Sequence, residues 1–435
     1  MARPISDIPG PRLPRPLQTW MGVSRPMAAR LAMRRRYGRL FRTNDVFAGQ
    51  MIHVADRALI EQMFKWKPAQ YNVSEPRQIM APVTGPESIL LLDGDRHLRM
   101  RKLMLPPFHG EAIGRFAEMI EEITGREIDG WRAGQTIRTR TVAQTVTLEV
   151  IIRAVFGITD PDRIEQFKLL LPKLSSANPA LLLMQKDLGS WSPWGRFLAH
   201  RDRVDAMLYD EIERRRGEPD SNGRNDILTV LLAARDENGN PLSDRELRDE
   251  LITLLLAGHE TTANSIGWAF ERLLRAPHAL ERLTEEVKAG ESGDYMEAVI
   301  KETLRVRPVV TEVFRAPSEP TELGGYLIEP GMQLAASIFL VQSDPELYPP
   351  DPEEFRPERF LDGAPEPYTW VPFGGGVRRC LGAAFAQLEM NVVIATILRR
   401  ARLRAPRERS EKARFRGITL LPSRGGEAYV EAVTS

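Results

Sequence analysis

Apolar residues recur every three or four positions through most of this chain, clearly across 116–131, 145–155, 204–214 and 246–274. That period predicts helices with one face turned to a core. Strand-like stretches are short and confined to 40–46, 50–54, 325–328 with the turn Glu329-Pro330-Gly331 after it, and 333–337. A further pair, around Thr419 and at 428–433, flanks the Gly425-Gly426 turn. The pattern predicts a mainly α protein with a small β region, an α+β fold.

Length adds that 435 residues exceed the size at which one core stops growing, so two lobes around a shared cleft are expected. A hydrophobic content of 42% with 27% charged residues fits a globular protein and excludes a disordered one. The net charge of +1 gives no case for nucleic acid. The runs Arg34-Arg35-Arg36 and Arg214-Arg215-Arg216 read as solvated helix faces, and Glu211/Arg214 and Glu213/Arg216 as surface pairs. The polar stretch 217–226 reads as a loop. With one cysteine, no intramolecular disulfide can form and a cytoplasmic location is expected. Residues 1–16 alternate prolines with charges and hold no apolar signal core. The apolar runs fall short of the ~18 residues that cross a bilayer, so no membrane span is expected.

The single cysteine, Cys380, lies in the glycine-rich run 373–382, just before an apolar helical pattern. Flexible backbone amides at a helix start can donate to sulfur and favour its anion. A buried core thiol is the bland alternative. Zinc and iron–sulfur sites recruit several cysteines, so a lone one points to the axial thiolate of a heme. A second apolar helical pattern is interrupted by Gly258, Glu260, Thr261 and Thr262. An acid and hydroxyls inside a helix are costly without a purpose or a partner; the bland alternative is that Glu260 faces solvent and the threonines bond back to the helix.

The pattern Phe373-x-x-Gly376-x-Arg378-x-Cys380-x-Gly382 resembles the heme-binding signature of the cytochrome P-450 family, of the soluble bacterial type. The resemblance covers roughly residues 35 to 435, with four motifs in the family's order. It implies one P-450 domain over 1–435, with 1–34 a proline-rich N-terminal segment and no fused reductase. A helical lobe and a smaller β-rich lobe would hold heme b between them, with Cys380 as the iron ligand. The segment 251–262 resembles the oxygen-activating motif. There, Ala257 and Gly258 would leave room for dioxygen, Thr261 would position a hydroxyl and water, and Glu260 would relay protons. Glu302-Thr-Leu-Arg305 resembles the family's Glu-x-x-Arg, which Arg359 of Pro357-Glu-Arg-Phe360 would join in a structural role. His97, Arg101, Arg315 and Arg378 match positions that bind heme propionates, a task suited to the guanidinium fork. Gln342-Ser343-Asp344-Pro345 departs from the His-Arg-Asp-Pro of many relatives.

The resemblance also implies a monooxygenase that inserts one atom of O2 by hydroxylation or epoxidation. Its substrate would be lipophilic: a fatty acid, terpenoid, steroid or polyketide. Electrons would come ultimately from NAD(P)H through a separate ferredoxin and ferredoxin reductase, or a flavodoxin-type donor. By position, Leu90, Leu91, Leu181, Leu254, Val309, Val310, Val313 and Leu420 would line the substrate pocket, and such an apolar lining suits lipophilic molecules. Arg96, Arg99, Lys102 and Arg379 would form a positive face for an acidic ferredoxin. The alternative is a heme-thiolate protein that binds or senses a ligand without turnover.

Overall fold

The computed structural model describes residues 2–434, apart from 48, 74–76, 176–188, 190, 219–223, 225 and 291–292. Its centre is a 30-residue helix, Asp244–Leu273, about 45 Å long at the usual rise. A capping box starts it: Glu246 N–H donates to Ser243 Oγ at 3.2 Å, and Ser243 N–H donates to Glu246 Oε2 at 2.8 Å. Most of the helix is buried because it lies along Thr139–Phe156 on one side and meets Ala383–Arg400 and Asp294–Val306 on others. Gly258 sets the approach of the first pair, since a Cβ there would stand 2.9 Å from Ile151 Cδ1.

The β-rich part is built on a five-stranded sheet in the order Leu40–Asp45, Gly49–Val54, Gln333–Ser337, Glu312–Pro317, Tyr71–Asn72. Gly49–Val54 runs parallel to Gln333–Ser337, with Ile52 opposite Leu334, while the other neighbours are antiparallel. A second apolar cluster, including Ile52, Phe64, Leu334 and Val371, packs this sheet beside the helical core. The helices and strands read from the apolar pattern are present within a few residues, except that Pro193–Gly217 and Thr139–Phe156 extend well beyond the patterns at 204–214 and 145–155.

Three expectations are corrected. Thr419–Pro422 and Glu427–Val433 do not pair with each other: the first pairs with Ala413–Arg416, the second with Ala401–Arg404 and Thr136–Arg138. Arg215 is buried, not solvated, because its guanidinium satisfies Asp226 at 2.6 Å, Thr229 at 2.7 Å and the Phe156 carbonyl. Glu211 is likewise buried and gathers Arg163, Arg214 and Arg215, while Arg216 pairs with Asp244. Most of 217–226, read as a loop, lies outside the described residues.

Candidate active site

Cys380 sits three residues before the helix Ala383–Arg400. Its own N–H donates to Phe373 O at 3.0 Å, which closes the loop. Gly376 adopts φ 66°, and a Cβ there would overlap the Phe64 carbonyl, so only glycine lets the loop lie against the β-rich part. The Cys380 side chain is solvent-accessible although protein surrounds it. Those surroundings push the thiol up, while the Gly382 N–H and the charges of Arg379 and Arg101 pull it back towards thiolate. Gly382 itself has open space where a Cβ would go. Phe373 stacks edge-on against Trp370 with centroids 6.0 Å apart.

Beside the loop, several cations converge. Arg378 donates to Asp93 Oδ1 at 2.6 Å and to the Leu92 carbonyl, and Arg101 donates to Arg379 O at 2.8 Å. Arg315, on strand Glu312–Pro317, stacks 4.6 Å above the Tyr71 ring. Burial, then the charges of Arg378 and Arg315, press Arg77 down to about 10. Burial drives Arg315 to about 10 as well, and Arg378 adds to that fall. His97 is buried on the helix Gly94–Met104, and burial with Arg378 and Arg101 drives it to about 3, so it is neutral at physiological pH. The structure thus brings His97, Arg101, Arg315 and Arg378 together and adds Arg77, which sequence reasoning missed. Arg315 Nε is buried without a hydrogen-bond partner among the described residues. A cluster of mutually repelling cations with an orphaned donor fits a ligand that brings negative charge, as heme propionates do.

The second half of the site is the middle of the long helix. Four side chains there bond back to carbonyls one turn earlier: His259 to Leu255, Thr261 to Ala257, Thr262 to Gly258 and Ser265 to Thr261, at 2.6 to 3.0 Å. Such bonds compete with the helix ladder and bend helices. Ala257 is exposed within this mostly buried helix, whereas the Gly258 position is occupied by packing against Ile151. The glycine at 258 thus serves the packing of the two helices, and Ala257 stands open beside it. Glu260 lies 3.3 Å from Arg140 and 3.6 Å from Arg416. Arg140 also donates to Asn264 Oδ1 at 2.5 Å. Neither arginine carried a sequence signal.

Glu389, on the helix that follows the cysteine, was also missed. It is buried, lies beside Thr262, and is pushed up to about 8 by burial; its Oε1 has no partner among the described residues. A lone acid in an otherwise apolar helical run was the available signal.

The supporting charges are formed as expected. Glu302 and Arg305 are fully buried and bidentate, at 2.6 and 2.7 Å. Arg359 stands 3.6 Å from Glu302, and the Arg356 N–H donates to it at 2.8 Å. Arg305 also donates to the carbonyls of Gln342, Pro352 and Glu354. Gln342, the departure from the usual motif, is fully used: its amide donates to Leu304 O and Arg305 O and accepts from Val371 N–H.

Of the pocket positions, Leu90, Leu254, Val310 and Val313 are half-buried, and Leu91, Val309 and Leu420 are buried. Leu181 lies outside the described residues. The proposed ferredoxin face changes character. Arg96 pairs with Glu87, Arg99 with Asp236 and Glu246, and Lys102 with Glu237, so most of its charge is neutralised at home.

The sequence profile described as Cytochrome P450 matches residues 18–428. The chain belongs to the cytochrome P450 family. The Mycobacterium tuberculosis protein provisionally named cytochrome P450 135B1 is 39% identical over 98% of this chain and 91% of its own length. Cytochrome P450 138 of the same species, also a provisional name, is 38% identical over 91% and 90%. Among solved structures, a cytochrome P450DA heme domain superimposes with a TM-score of 0.86 at 22% identity, covering 99% of this chain and 98% of that one. A retinoic acid-bound cyanobacterial CYP120A1 gives 0.79 at 24% identity, covering 92% and 93%. These likenesses establish the P450 fold, and the family is one of heme-thiolate oxidoreductases that use O2. Among the described residues of this P450, no single helix is long and apolar enough to cross a membrane.

Proposed function

We propose that this P450 is a monooxygenase in which Cys380 holds the heme iron and His97, Arg101, Arg315 and Arg378, with Arg77, hold the propionates. The observation that carries the reading is the pairing of a solvent-accessible Cys380, served by the Gly382 N–H, with an adjoining cation cluster that retains a buried, unpartnered donor. When bound, heme supplies dioxygen activation: with two electrons and two protons, one oxygen atom enters a C–H or C=C bond and the other leaves as water.

The chain's own residues manage the rest. Thr261 offers a hydroxyl that bonds Ala257 O at 2.6 Å and would position a water molecule at this turn of the helix. Glu260, between two arginines, holds a carboxylate one residue away and passes protons inward from solvent. Leu90, Leu254, Val310 and Val313 present partly open apolar surface, which favours a lipophilic substrate. Electrons come from a separate ferredoxin-type or flavodoxin-type partner.

Replacing the ligand tests the reading. Cys380→Ser should abolish the red-shifted carbon monoxide spectrum of the reduced protein and its product formation with a surrogate ferredoxin and reductase. Retention of that spectrum would overturn the assignment.

A further inference from the structure

Ten residues before Glu260, the long helix carries Glu250, an acid that the proton relay does not use. Glu250 is fully buried, and that burial holds its carboxyl well above the ordinary range, with Asp249 and Glu246 adding to the rise. Its neighbour Asp249 is answered by Arg248 at 2.8 Å and by the Glu87 N–H at 2.9 Å. Glu250 meets no cation among the described residues. Its Oε1 accepts the Ile89 N–H at 2.6 Å, while its Oε2 is buried without a hydrogen-bond partner among those residues. A neutral carboxyl so arranged carries its proton on Oε2, a donor with nothing to donate to.

Its place on the helix ties it to the reacting turn. Glu250, Leu254, Ala257 and Thr261 follow one another at i, i+4, i+7 and i+11 and so share one face. That face is partly open, with Leu254 half-buried and Ala257 exposed. The segment 85–92 sits on the helix beside it through three consecutive residues: Glu87 N–H to Asp249, Ser88 Oγ with Thr253 Oγ1 at 2.7 Å, and Ile89 N–H to Glu250. Leu90, next in the chain, is half-buried. Glu250 thus lies one turn beyond Leu254 and seven residues from Ala257, about 10 Å along the axis.

We propose that Glu250 is the polar anchor of the substrate, its Oε2–H donating to a ketone or alcohol oxygen on an otherwise apolar molecule that lies along Leu90 and Leu254. A hydrocarbon would leave this buried donor unpaired, and a site built to hydrogen-bond its ligand rejects the analogue that lacks the partner. An anionic ligand is disfavoured, because Asp249 and Glu246 surround the carboxyl with negative charge and no cation faces it among the described residues. The inference rests on the monooxygenase reading and narrows its substrate class. It replaces any lipophile by one with a neutral oxygen about 10 Å from the carbon that reacts beside Ala257.

The test is a Soret titration of the full-length heme-loaded protein with straight-chain methyl ketones from decanone to hexadecanone, the matched alkanes, the matched fatty acid anions, and the steroid pair androstanone and androstane. The ketone-to-alkane affinity ratio should be about tenfold higher in the wild type than in Glu250→Leu, and Glu250→Gln, which keeps a donor and an acceptor, should retain it. The ratio isolates the anchor, since a loosened 85–92 segment lowers both affinities together. A second measurement needs no variant: isotope-edited infrared spectra should show the carbonyl stretch of the bound ketone below its value in hexane. Equal ratios in wild type and Glu250→Leu would overturn the inference, as would an unshifted stretch, tighter binding of the fatty acid anions, or no Soret shift with any ketone. Those results beside an intact sulfur-bound carbon monoxide spectrum sink the anchor alone. Ketone binding without product formation, given a surrogate ferredoxin and reductase, sinks the monooxygenase reading instead.

Discussion

Arg416, at the end of a C-terminal hairpin strand, lies 3.6 Å from the carboxylate of Glu260 in the middle of the long helix. The proposed proton relay is therefore tethered by a residue 156 positions away, with Arg140 as a second tether. Glu260→Gln should slow product formation by about a hundredfold while leaving the carbon monoxide spectrum intact. Arg416→Gln should change the solvent isotope effect on turnover, and the nearby Arg414→Gln should not. Equal isotope effects in wild type and Arg416→Gln would remove the tether from the mechanism.

Glu302 and Arg305 support the fold from within. Glu302→Ala strands a buried guanidinium, which costs about 3–5 kcal/mol, a large part of the ~5–15 kcal/mol of a typical domain. Denaturant titration should show that loss. The double change Glu302→Leu/Arg305→Met should not recover it, because Arg305 also satisfies three backbone carbonyls. Recovery to wild-type stability would mean that the ion pair alone matters.

Glu389 makes stability depend on pH. Its folded value of about 8 lies above the ordinary 4.5, so the unfolded chain releases the proton first. Its contribution is fully present below about 4.5 and is lost as pH rises through about 8, by up to ~1.4 kcal/mol per pH unit. Glu389→Gln should match the wild type near pH 5 and exceed it near pH 8 in urea midpoint. Parallel curves across that range would show that the carboxyl is ionised in the folded protein.

Arg315 has a buried donor still to be satisfied. Arg315→Met should raise the rate of heme transfer to an acceptor such as apomyoglobin about tenfold or more, as expected for a lost charge-assisted contact. A transfer rate equal to that of the wild type would remove Arg315 from the residues that hold the heme.

The parts legible in the sequence are those whose chemistry is local. The Cys380 loop depends on glycines within ten residues, and Glu302 meets Arg305 one helical turn away. Long helices announce themselves by period, and hence so did the fold class. What stayed hidden joins distant segments. Arg140 and Arg416 reach Glu260 from 120 and 156 residues away, and Glu427–Val433 pairs with Thr136–Arg138, a partner chosen by tertiary packing. The same limit explains Arg215: a run of three arginines looks solvated until Asp226 and the Phe156 carbonyl are placed beside one of them. The acids beside the expected positive face were hidden for the same reason: Glu87, Asp236, Glu237 and Glu246 pair with Arg96, Arg99 and Lys102.

Gln342 joins the end of the Glu302 helix to the segment entering the cysteine loop. A carboxamide neither gains nor loses a proton across the biological range, whereas an imidazole in its place would titrate. This seam should therefore hold the Cys380 loop in the same register in acidic and alkaline surroundings alike.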